Sequence, residues 1–214
     1  MMKKVYINNI KIIIEDIINV KENEDEIIPL IPSYYAEKYR RIAGRQNGKC
    51  YTAAYQELLA GYMLYRYLGI TSDEQIVRNE HGKPDIASGY KKNISLHFNL
   101  AHSGSYVVLA ISDEPVGIDI ERTDRMNWKV ARRILRSDQL QRLESYKDKP
   151  DRLQYEFTRY WTQYEAIMKL NGTGLAVKLD DEIMKTYEKG VVFYDLDGYI
   201  IAAARYAYTK INYS

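Results

Sequence analysis

The chain has a single cysteine, Cys50, which excludes an intramolecular disulfide and a cysteine-based zinc cluster. An excess of one charge is also missing. Lys and Arg number 31 against 29 Asp and Glu, so no general positive field is available to hold nucleic acid. No apolar run approaches the length of a membrane span. Met1-Met2-Lys3-Lys4 opens like a leader, but Asn8, Asn9, Lys11, Glu15 and Asp16 break up the apolar stretch behind it. With three histidines there is no metalloprotease pattern, and no Gly-x-Ser-x-Gly elbow marks a hydrolase. The expectation is a soluble, cytoplasmic protein that uses neither membrane nor nucleic acid.

At 214 residues the chain is long enough for one large domain or two small ones with a substantial core. Lys3–Ile7 and Lys11–Ile18 are rich in β-branched residues and read as strands, with Glu22–Glu26 as an acidic turn. Pro32-Ser33 opens a short helix over Tyr34–Ile42, and Gly44–Gly48 reads as a loop. A long helix spans about Tyr51 to Leu68, with Tyr55, Leu58, Leu59, Tyr62 and Tyr65 predicted on its buried face and Gly69 as its stop. Further on, Ala101-His102-Ser103-Gly104 reads as a tight corner. Tyr106–Ile111 and the strand after Asp113-Glu114-Pro115 read as a hairpin. Two short helices come next, from Trp128 and from Ser137, then the longest helix, Asp151–Leu170, and a terminal hairpin about Asp197-Gly198. Helices followed by strands occur on both sides of Glu114. The predicted fold class is therefore α+β, as a pseudo-twofold pair of similar halves, 1–113 and 114–214, each an antiparallel sheet packed with a long helix.

Val116-Gly117-Ile118-Asp119-Ile120-Glu121 alternates as a strand should, with Gly117, Asp119 and Glu121 on one face. Side chains two apart lie about 6–7 Å from each other, close enough to share one cation. The glycine leaves room for something to approach the backbone. Alone, Asp-x-Glu is an ordinary solvated face, and a third carboxylate is needed to make a metal site. Glu165 is the candidate. On the longest helix Phe157, Trp161, Tyr164 and Met168 form an apolar stripe, with Thr158, Thr162, Glu165 and Lys169 as a polar stripe beside it. Glu165 and Lys169 read either as an i,i+4 salt bridge of modest worth or as the edge of a cleft.

Four stretches in order carry a resemblance: Gly82-Lys83-Pro84; His97-Phe98-Asn99-Leu100-Ala101-His102-Ser103-Gly104; Val116 to Glu121; and Trp161 to Lys169, followed by Gly172-Thr173-Gly174-Leu175. Together they resemble the phosphopantetheinyl transferases of the monomeric, two-half type that activates peptide and polyketide synthases, over about Tyr35 to Leu175. The resemblance implies coenzyme A bound between the halves, and transfer of its phosphopantetheine arm to a serine of an apo acyl or peptidyl carrier protein with release of 3′,5′-ADP. It implies magnesium held by Asp119, Glu121 and Glu165. Lys169, His102 and Lys83 would contact phosphates, and Lys38, by its place before Arg40-Arg41, the 3′-phosphate. Glu165, Lys169 and His102 would be the catalytic groups.

The chain departs from that pattern at three places. Tyr164 stands where the family usually has lysine, and Ala101 where it usually has serine. The basic residue before the long N-terminal helix has no clear match, Arg45 and Lys49 being the stand-ins. Tyr164, on the apolar stripe, is expected to be a packed ring. Arg132, Arg133 and Arg136, with Trp128 and Ile134, resemble the family's docking surface for an acidic carrier helix, or form a solvated helix face. The alternatives to transfer are a divergent homologue that binds coenzyme A or carrier without transferring, and another magnesium-dependent phosphate-ester enzyme.

Overall fold

A computed structural model describes residues 2–45, 51–90, 96–174 and 180–207. The chain divides after Glu114 into two compact units. In the first, strands β1 (Met2–Ile7), β2 (Ile10–Asp16), β5 (His97–Ser103) and β6 (Tyr106–Ser112) form an antiparallel sheet in the order β1-β2-β6-β5, while β3 (Ile76–Arg78) pairs β4 (Pro84–Ile86) separately. Its helices are α1 (Glu24–Ile27), α2 (Ser33–Arg45) and α3 (Thr52–Leu68). Leu58, Leu59, Met63 and Leu64 of α3 are fully buried in a core with Ile13, Phe98, Val107 and Leu109. The tyrosines predicted on that face, Tyr55, Tyr62 and Tyr65, are only half-buried and flank it. The four apolar side chains fill the centre, and the three tyrosines pack against it from the margin. α2 meets α3 at Gly61, where a Cβ would lie 2.8 Å from that of Tyr35. One helical turn from this contact on each helix are Lys38 and Glu57.

The second unit holds β7 (Val116–Arg122), β8 (Val191–Leu196) and β9 (Tyr199–Arg205), antiparallel in the order β7-β9-β8. Its helices are α4 (Trp128–Ile134), α5 (Ser137–Glu144), α6 (Pro150–Asn171) and α7 (Asp181–Glu188). α6 lies along β7 and β9. It can do so because the strand positions beneath it are small, Gly117 pairing with Ala204 and Asp119 with Ala202. A Cβ on Gly117 would meet the Ala166 carbonyl oxygen at 2.1 Å and the Leu170 nitrogen at 2.3 Å. What the glycine admits is therefore the backbone of α6.

Several expectations change. The acidic turn contains a helical turn, α1, with Tyr55 donating from α3 to its Glu24. His102 is not in a corner, because β5 runs through it to Ser103 and the turn comes at Gly104. β6 and β7 form no hairpin. β6 pairs β2 and β5, whereas β7 pairs β9, since burial of each strand's apolar residues, not nearness in the chain, selects its neighbour. α7 was not anticipated at all. The loop at Gly44–Gly48 lies largely outside the described residues, and its first two residues, Gly44 and Arg45, belong to the last turn of α2. No helix among the described residues is long and apolar enough to cross a membrane.

The contact at Gly117 is testable. Gly117→Ala should cost about 3 kcal/mol or more, since neither helix nor strand backbone can yield cheaply. Exposed Gly89, with nothing within 4 Å of an added Cβ, should tolerate alanine. Thermal melts of both variants check this.

Candidate active site

In the second unit the α6 polar stripe lies against the acidic strand. Thr162 is fully buried and returns its hydroxyl proton to the Thr158 carbonyl, 2.7 Å away, while Thr158 donates to the carbonyl of Arg122 on β7 at 3.3 Å. Two turns further on, Lys169 Nζ lies 2.6 Å from Asp119 Oδ1 and 3.8 Å from Glu165 Oε2. Trp161 Nε1 donates to Glu121 Oε1 at 3.3 Å. α6 thus touches both carboxylates of the acidic strand.

The electrostatics follow from burial. Asp119 is 3 % exposed. Burial pushes its carboxyl up to about 7, the Lys169 ammonium opposes the shift, and the nearby charges of Glu165 and Glu121 add to it. Burial also raises Glu165, against Lys169 and with Glu121. Lys169 is raised, because the attraction of Asp119 and Glu165 outweighs its own desolvation. The lysine is thus the counter-ion of a crowded acidic group, a larger structural part than the modest pair expected.

Among the described residues no three acidic, histidine or cysteine side chains are arranged to hold a metal ion. The cation now against Asp119 is Lys169. A divalent ion nevertheless fits the donors, because Asp119 Oδ2 is buried and accepts no hydrogen bond. A hard carboxylate oxygen of this kind is what magnesium takes, with its other positions left to substrate oxygens and water.

In the first unit Lys38 and His102 are brought together, by a residue the sequence reading missed. Glu57 of α3 accepts Lys38 Nζ on Oε1 at 2.7 Å, and His102 Nε2 lies 3.7 Å from the same oxygen. Burial acts to raise the Glu57 carboxyl, but the nearby basic groups His102 and Lys38 outweigh it and hold it below the usual glutamate range. The available signal was an acidic residue directly before the apolar run Leu58-Leu59-Ala60 on the buried stretch of α3, where a charge must find a partner. Lys83 stands apart on the β3–β4 turn, its backbone N–H donating to Asn79 Oδ1 at 2.9 Å. Burial lowers its ammonium from the ordinary lysine value, against the pull of Asp85.

Tyr164 is 4 % exposed and stacks on Trp161 with ring centres 6.3 Å apart, the packed ring expected of it. Ala101 is buried in β5 opposite Val108. Arg45 is exposed at the end of α2, and Lys49 lies outside the described residues. The arginine cluster divides. Arg136 is clamped to Glu188 of α7 at 2.7 Å and to Asp138 at 3.3 Å, and Ile134 is buried. Arg132 and Arg133 are exposed, Arg132 lying over Trp128.

A family model described as the 4′-phosphopantetheinyl transferase superfamily matches residues 115–208. The chain is 28 % identical to 4′-phosphopantetheinyl transferase Sfp of Bacillus subtilis strain 168 over 176 residues, 82 % of this chain and 75 % of that protein. It is 31 % identical to a 4′-phosphopantetheinyl transferase of Bacillus subtilis over 187 residues, 82 % of this chain and 76 % of that one. It is 33 % identical to the psf-1 4′-phosphopantetheinyl transferase of Bacillus pumilus over 135 residues, 63 % of this chain and 55 % of that protein.

Lys169→Met should cost about 3–5 kcal/mol of stability, because it leaves Asp119 as an uncompensated buried acid. Adding Asp119→Asn to the same chain should restore most of that loss in a denaturant titration. The depressed Glu57 carboxyl stabilises the fold above its unfolded value, about 4.3. That contribution disappears as pH falls through the lower folded value. The melting temperature of the native protein should therefore drop more steeply below about pH 4.3 than that of Glu57→Gln.

Proposed function

The chain belongs to the 4′-phosphopantetheinyl transferase superfamily, and from that membership we propose that it converts an apo acyl or peptidyl carrier protein to its holo form with coenzyme A. The serine oxygen of the carrier attacks the phosphorus next to the pantetheine arm. The bond from that phosphorus to the bridging oxygen breaks, and 3′,5′-ADP leaves. The observation that carries the reading is the packing of α6 on β7, which sets Glu165 and Lys169 against Asp119 in a chain similar to known transferases over most of its length.

Glu165 is the group we assign to take the serine proton, directly or through a water. Its raised carboxyl supports that role, since a base works best with a pKa moved toward the working pH. Lys169 stabilises charge on the departing phosphate, and His102 and Lys83 contact phosphate oxygens. Lys38 meets the 3′-phosphate. Asp119, Glu121 and Glu165 would hold magnesium, which when bound offsets the charge of the pyrophosphate. Cytoplasmic location and a monomeric state belong to the same proposal.

For the carrier, exposed Arg132 and Arg133 on α4 supply the positive face that an acidic helix would meet. Arg136 does not belong to that face, since its guanidinium is paired with Glu188 of α7.

Incubation with coenzyme A, magnesium and a panel of apo carriers, followed by weighing the carriers, tests the reading. A carrier should gain the mass of one phosphopantetheine arm, and a chelator should stop the gain. Binding without product would indicate a non-transferring homologue, and phosphate release without a carrier a different phosphate-ester enzyme. Arg133→Glu should raise the Michaelis constant for the carrier while leaving that for coenzyme A nearly fixed. Arg136→Glu should instead lower the melting temperature, because it removes the clamp on Glu188.

A further inference from the structure

Glu57 was predicted by no motif, yet two of the proposed phosphate-binding side chains converge on one of its oxygens. The depth of the three groups differs in a consistent direction. The Glu57 side chain is 8 % exposed, that of Lys38 31 % and that of His102 44 %. The carboxylate therefore lies behind, and the ammonium and imidazole lie in front of it. The three groups come from three elements, α2, α3 and β5 of the first unit, so no single element would hold the two donors side by side.

We infer that Glu57 is a positioning residue, holding Lys38 and His102 ready for the phosphates of coenzyme A. This rests on the coenzyme A reading given above. A lysine on its four-carbon stem loses rotamer freedom when it captures an anion, and a fixed carboxylate moves that loss into folding. One N–H of the ammonium goes to Glu57, and two remain for a ligand. With Nε2 of His102 turned to Glu57, Nδ1 is the ring nitrogen that this carboxylate does not engage.

The opposing effect is repulsion between the carboxylate and an incoming phosphate. Coulomb energy falls with distance, so a carboxylate about 6 Å behind the ligand repels it roughly half as strongly as an ammonium at about 3 Å attracts it. His102 adds a second donor on the attractive side. Orientation therefore outweighs repulsion, and removing the carboxylate should weaken binding.

The test is calorimetric titration of the whole protein with coenzyme A and with 3′-dephospho-coenzyme A, without carrier. The native protein, Glu57→Gln and Glu57→Met are compared. The methionine variant keeps the volume at this α3 position, so it supplies the reading if the glutamine variant folds poorly. Both variants should bind coenzyme A about tenfold more weakly, the scale on which loss of an orienting partner weakens a binding group. Binding of 3′-dephospho-coenzyme A should change much less, because it lacks the phosphate assigned to Lys38. Equal weakening of both ligands would overturn the inference by showing general damage to the fold. Unchanged or tighter binding of coenzyme A would overturn it by showing an idle or competing carboxylate. Native protein that bound neither ligand would remove the coenzyme A reading itself, an outcome distinct from native binding that the variants match.

Discussion

α6 can lie as close to β7 as it does only because no side chain projects from Gly117 and because Ala202 and Ala204 lie across the strand pair. The distance between helix and strand is set by those small residues, and the site in the second unit depends on that distance. Lys169 reaches Asp119 from one turn beyond Glu165, and Trp161 reaches Glu121 from one turn before it. A side chain at residue 117 would lift the helix and draw all of these groups from the strand together. Packing and chemistry are set by the same contact.

Charge is then arranged in similar ways in the two units. In each, a buried acid accepts the ammonium of a less buried lysine, Asp119 with Lys169 and Glu57 with Lys38. Their balance differs. Asp119 has other acids close by and its carboxyl is raised, whereas Glu57 has a second basic partner and its carboxyl is lowered. The first arrangement suits a place that still accepts positive charge, and the second suits a pair of donors already held in position. Burial pushes both carboxyls up, and the basic neighbours decide whether that rise survives, as at Asp119, or is reversed, as at Glu57.

Much of this was legible in the sequence. The two long helices were placed to within a residue or so, because each has sustained apolar spacing and ends on a glycine with positive φ, Gly69 and Gly172. The alternation of the acidic strand and the two stripes of α6 were also visible, since both are local periodicities. What escaped was non-local. The neighbour of β7 is β9, some 80 residues on, and adjacency in the chain suggested β6 instead. His102 looked like a corner because glycine and serine come after it, but pairing to Val107 extends the strand through it. Glu57 looked like one acid among many until two partners from other elements were placed beside it. Arg136 counted with a basic cluster, though its geometry belongs to Glu188.

Both tryptophans of the chain, Trp128 and Trp161, fall in the second unit, while the first has tyrosines and no indole. Indole emission is therefore a native optical label for one unit, and phenol emission is the main such signal from the other. Trp161 is the more informative label, since its N–H is bonded to Glu121 and its ring is stacked on Tyr164. A change of charge at the acidic strand would shift its spectrum without any added dye. Selective excitation of indole would also follow unfolding of the second unit apart from that of the first.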